Sequence, residues 1–111
     1  MGDDFMWLLA IQGGLHAVTF LNMTARSPLD RPVSPAGNRA FALVGDVACF
    51  SAVALGVYSL WALGIWAGLL AFFGASVIGV VVEQICPKGP RPGIAHLIFV
   101  GTLVAFAVWL F

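Results

Sequence analysis

The 36 residues from Val47 to Val82 contain no Asp, Glu, Lys, Arg or His. A helix crossing a bilayer needs about 20 apolar residues at 1.5 Å rise each. The run is too long for one crossing and suits two, so it predicts a transmembrane hairpin closed near Trp61 to Ile65, with Gly64 as the break. The rest of the chain is organised around that hairpin. Of the 111 residues, 61% are hydrophobic and 9% charged, with a mean hydropathy of +1.03. A water-facing domain carries about 25% charged residues, so 1–111 reads as one domain held almost entirely in lipid. The net charge is zero and the five basic residues form no tract, which excludes nucleic acid as a partner.

Four helices are predicted, roughly 5–25, 39–60, 65–85 and 94–111, an all-α polytopic four-helix bundle. The acidic opening Met1-Gly2-Asp3-Asp4 is unlike the basic start of a secretory signal, so the first hydrophobic segment is expected to be retained. Met6 occupies the place where a myristoylation motif has Ser or Thr. Asn38 is the expected N-cap of the second helix. The run from Cys86 to Gly93, with Pro87, Pro90 and Pro92, is expected to be non-helical. With four crossings, the loops 26–38 and 86–93 fall on one side. They hold Arg26, Arg31, Lys88 and Arg91, and Arg39 stands at the mouth of the second helix. The positive-inside rule makes that side cytoplasmic, or the matrix, and sends both termini to the other. Trp7, Trp61, Trp66 and Trp109 then line the opposite interface as an aromatic belt. Small residues recur at four-residue steps, among them Ala10/Gly14, Ala48/Ala52/Gly56, Gly64/Gly68, Ala75/Gly79 and Gly101/Ala105, a pattern for close helix packing within the bundle.

Polar groups in such a chain are the candidate site. Gln12, His16, Thr19 and Asn22 share a face of the first helix and are expected to turn inward. Asp46, with Cys49 on its face, Glu83 and His96 are expected to converge at the basic end of the bundle. A membrane carboxyl with a raised pKa suits proton transfer, so Asp46, Glu83, His16 and His96 are the candidate catalytic residues. Gln12, Thr19, Asn22 and Cys49 are candidate ligand contacts. Cys49 and Cys86, at different depths, are expected to be free thiols. No metal motif is present. Axial haem ligation by His16 and His96 is disfavoured by a depth mismatch of roughly 10 Å.

The stretch Gly13-Gly14-Leu15-His16, the segment Arg39 to Ala48 with Gly45-Asp46, Glu83 late in the third helix and Ala95-His96 opening the fourth resemble the DoxX-like group of small four-helix membrane proteins. Those proteins often carry Glu where this chain has Asp46. The resemblance implies a compact bundle, in some cases tied to redox or quinone-linked systems, and no defined reaction. Three functions follow as expectations. One is an accessory subunit of a membrane complex or a bundle that holds a lipophilic ligand. Another is an intramembrane acid/base enzyme acting on an isoprenoid, quinone or sterol. The third is a proton or solute conduit.

Overall fold

A computed structural model describes residues 2–25, 34–87 and 90–111. It contains four helices, α1 (Gly2–Thr24), α2 (Pro35–Leu63), α3 (Ile65–Ile85) and α4 (Arg91–Leu110), and no strand among the described residues. All four are long and apolar enough to cross a membrane. The chain is a multi-pass helical bundle of the kind a bilayer demands, with its backbone hydrogen bonds closed within each helix.

Three helix starts differ from the sequence expectation, and α2 runs on to Leu63 rather than ending at 60. The second helix starts at Pro35, not Arg39, because Ser34 is the N-cap and accepts a hydrogen bond from the Gly37 amide at 3.0 Å. Pro35 fits the first helical position, where its missing N–H costs nothing. Asn38 is therefore inside the first turn. The last helix starts at Arg91, so Pro92 and Gly93 are helical, with the Ile94 amide donating to the Pro90 carbonyl at 3.0 Å. Proline blocks a helix interior and is tolerated in a first turn. The first helix begins at Gly2 rather than Phe5. Arg26, Arg31 and Lys88 lie outside the described residues.

Gly64 alone joins α2 to α3, at φ +90° and ψ 167°, a backbone state that a side chain would oppose. The two helices leave this point antiparallel and packed together. Helix α1 lies at the centre, against α2, α3 and α4, whereas α3 and α4 meet only marginally and α4 touches α2 lightly. In its best spanning window α1 is 56% buried, and α4 is 11%. The most enclosed helix is also the least hydropathic of the four. This reverses the logic of a water-soluble core. With lipid outside, the apolar faces of α2, α3 and α4 point outward and α1 keeps its polar groups inside.

The small residues make that closeness geometrically available. Gly45, Ala48, Ala52 and Gly56 of α2 and Gly68, Ala71, Ala75 and Gly79 of α3 are all buried. A Cβ on Gly68 would stand 2.6 Å from the Leu60 Cα, and one on Gly79 2.8 Å from the His16 Cβ. Ala10, Gly64 and Gly101 are the exceptions and are exposed, with open space around Gly64 and Gly101, so the expected Gly64/Gly68 pair does not act as one packing face.

Gly68→Leu and Gly79→Leu should each destabilise the bundle by roughly 1–3 kcal/mol through overpacking. Gly101→Leu should stay within about 0.5 kcal/mol of the parent. Reversible unfolding in mixed micelles checks both. Equal effects at all three positions would contradict the packing described.

Candidate functional site

The polar stripe of α1 turns inward as its spacing implies. Gln12 is fully buried and its Nε2 donates to Ser59 Oγ at 2.8 Å, tying α1 to α2. The Ser59 hydroxyl in turn donates to the Leu55 carbonyl at 2.8 Å. The other amide atom, Gln12 Oε1, is buried with no partner. His16 Nδ1 lies 2.7 Å from the Gln12 carbonyl. A carbonyl only accepts, so Nδ1 carries the proton there. The ring is wedged between Phe20 and Phe72, with centroids 5.9 and 5.0 Å away, beside Gly79 of α3. Thr19 is occupied by its own helix, donating to the Leu15 carbonyl at 2.8 Å. Asn22 Nδ2 donates to the Phe41 carbonyl, and the hydrogen on Gly45 leaves room for that amide.

At the end away from the hairpin, Arg91 gathers three helices. It is 5% exposed. One terminal nitrogen donates to Glu83 Oε1 at 3.0 Å and to Thr24 Oγ1 at 2.8 Å. The other reaches the carbonyls of Glu83 at 3.3 Å and Cys86 at 3.4 Å. The guanidinium thus neutralises the carboxylate and covers free carbonyls at the C-terminal end of α3, where a cation also suits the helix dipole. Its Nε is buried and unpartnered. The composition had marked Arg91 only as a loop charge. Its role was visible in one respect, because Glu83 stands four residues after Gly79 and so continues the inward line of α3. Cys86 is a buried free thiol beside this pair. Burial raises its pKa, offset in part by Arg91 and reinforced by Glu83, which favours the neutral thiol.

Convergence of Asp46 with Glu83 and His96 is not found. Glu83 is bound to Arg91 and turned inward, His96 is half-buried against the Phe41 ring at 6.2 Å, and Asp46 and Cys49 are exposed on the outer surface of α2. The reason is helical phase. The inward line of α2 is Phe41, Gly45, Ala48, Ala52, Gly56 and Ser59. Asp46 and Cys49 each follow a member of that line by one residue, which is about 100° around the helix. His16 and His96 likewise face different helices. Among the described residues no group of three His, Cys, Asp or Glu side chains is placed to hold a metal ion.

A feature that sequence reasoning did not anticipate is a cleft of about 260 Å³ between α2 and α4. It exists because α4 leans on α1 and barely meets α2. Ile11 and Leu15 of α1 form its floor, Ser51 and Leu55 one wall, and Phe99 and Phe106 the other. Thr102, also in the lining, donates to the Ile98 carbonyl at 2.7 Å and keeps acceptor capacity. Ser51 makes no hydrogen bond to a described residue, unlike Thr19, Thr24, Ser59, Ser76 and Thr102, each of which donates to the carbonyl four residues earlier. A second hollow of about 250 Å³ between α2 and α3 is lined only by Gly and apolar side chains such as Val53, Leu69 and Phe72. Above the first cleft, toward the hairpin end, Tyr58 packs on Trp61 and Trp109, and Trp109 Nε1 donates to Asp4 Oδ1 at 3.2 Å. No protein-family model, curated protein or solved structure matches the chain.

Arg91→Ala should cost about 3–5 kcal/mol, since it strands a largely buried carboxylate. The double variant Arg91→Met/Glu83→Leu should recover a substantial part of that loss. A double-mutant cycle by chemical unfolding in micelles reads the coupling, and additive losses would count against a buried ion pair. By contrast, Gln12→Leu should lose no more than about 1 kcal/mol. It gives up one interhelical hydrogen bond and also removes the orphaned Oε1.

Proposed function

We propose that this chain is a small integral membrane protein that holds a lipophilic molecule in the cleft between α2 and α4. The cleft itself carries the reading. It is concave, open to the surrounding lipid, mostly apolar and supplied with two hydroxyls, one of them free. Ligand sites have that composition, a hydrophobic lining with few convergent polar groups. Drug-sized ligands fill about 300–1,000 Å³, so a volume of about 260 Å³ suits a segment of a linear acyl or isoprenoid chain. A carbonyl or hydroxyl on that segment would meet the free hydroxyl of Ser51. Kinship with the DoxX-like group belongs to the same proposal and rests on the motifs around His16, Asp46, Glu83 and His96. So does the sidedness. Arg91 and exposed Arg39 stand at one end of the bundle and the four tryptophans at the other, which supports basic connections in the cytoplasm or matrix and termini opposite.

Acid/base catalysis and conduction draw less support. Neither Asp46 nor Glu83 lines the cleft, and Glu83 is already neutralised by Arg91. Gln12, His16, Thr19 and Asn22 are each engaged by backbone or neighbouring side chains and packed between helices.

The test is photolabelling in nanodiscs with a diazirine-bearing isoprenoid chain, followed by peptide mapping. Label should concentrate on Ser51–Leu55 and Phe99–Phe106. Ser51→Phe, which fills the cleft, should lower it at least fivefold, a change of about 1 kcal/mol. Label spread evenly over outward residues such as Phe73 and Val77 would refute the reading.

A further inference from the structure

Asp46 is an ionisable side chain set among residues that face lipid. Around it on α2, Leu43 is 63% exposed, Val47 42% and Phe50 79%. It makes no hydrogen bond or ion pair with any other described residue. Its depth follows from the hairpin. Asp46 lies about 26 Å along α2 from Leu63 at 1.5 Å per residue, and the hydrocarbon layer is about 30 Å thick. The carboxylate therefore stands just inside the apolar boundary, where an ionised group is costly unless paired. Arg39 is on the same face, two turns nearer the water and roughly 10 Å away along the axis, and it makes no ion pair with Asp46.

From this placement we propose that the outer face of α2 docks a transmembrane helix of another protein, and that Asp46 pairs with a Lys or Arg at the inner flank of that helix. Three observations select this occupant. The positive-inside rule puts the basic residues of a neighbouring span at the depth of Asp46. The ridge Leu43, Asp46, Phe50, Val53 and Val57 advances in alternating steps of three and four, the seam into which a second helix packs at a shallow crossing angle. A second copy of this chain fits poorly, because a two-fold axis along the membrane normal would set Asp46 against its own mate. The proposal rests on the bilayer reading and on the sidedness proposed above, but not on the cleft, whose lining does not include Asp46.

Cys49, free and exposed one turn beyond Asp46, reports the contact. The full chain is reconstituted with a designed Leu/Ala transmembrane peptide that carries one Lys at its inner flank and one Cys a turn deeper. A peptide with Leu in place of the Lys is the comparison. Under mild oxidation, cross-linking to Cys49 should favour the Lys peptide about tenfold, the ratio that ~1.4 kcal/mol represents. Asp46→Asn should bring the ratio near one, and Asp46→Glu should preserve it. Photolabelling of the cleft should be unchanged in Asp46→Asn, which keeps this test separate from that of the ligand. Equal cross-linking of the two peptides, a preference that survives Asp46→Asn, or Cys49–Cys49 dimers that exclude the peptide would each overturn the proposal.

Discussion

Lipid tails are as apolar as leucine, so no hydrophobic force drives these four helices together. What holds them is close packing at small residues and a few polar links between helices, and the arrangement follows from where those occur. Helix α1 carries the polar stripe and becomes the axis of the bundle. Helices α2 and α3 carry the glycine and alanine lines and can press against it. Helix α4 has the fewest such positions turned inward, and its attachment depends on the fit of Thr102 to Gly14 and on Arg91. The weak α2–α4 contact, and so the cleft, is a direct consequence.

Arg91 deserves comparison with the α1 stripe because the two solve different problems. In the stripe, polar groups inside the membrane are quenched locally. His16 and Thr19 bond to carbonyls of their own helix, and Gln12 and Asn22 each reach one neighbour. Such links are individually modest, about 0.6 kcal/mol on average in membrane cycles. At the Arg91 end, one guanidinium serves α1, α3 and the turn after α3 at once. That geometry fixes the relative height of three helices, which small-residue contacts alone leave free to slide.

Much of this was legible from the chain. The charge-free run, its glycine break, the number of helices and the inward turn of Gln12, His16, Thr19 and Asn22 all follow from rules that act within one segment. The errors have the same root. The helix start at Pro35 departs from the expectation because Ser34 rather than Asn38 is the cap, and the start at Arg91 because prolines that read as breakers are starters in a first turn. Asp46 does not converge with Glu83 because rotation about the α2 axis, not depth, decides which way its side chain faces. Gly45 and Ala48 already mark the inward phase of α2, and they place Asp46 and Cys49 outside it. The cleft was out of reach, since it depends on how α4 tilts against two other helices and no single segment encodes that.

The outward position of Asp46 changes how the candidate site divides. Had it turned inward, one polar centre would have joined carboxylate, histidine and stripe, and proton chemistry would have been the natural reading. Instead the polar groups inside the bundle are spent on architecture, with His16 held by its own helix and Glu83 by Arg91. On the surface of α2, two polar groups remain without a partner among the described residues: the hydroxyl of Ser51 on one side and the carboxylate of Asp46 on another. Both face the bilayer rather than water. The two proposals, a lipophilic ligand in the cleft beside Ser51 and a partner helix against Asp46, therefore use separate faces of α2.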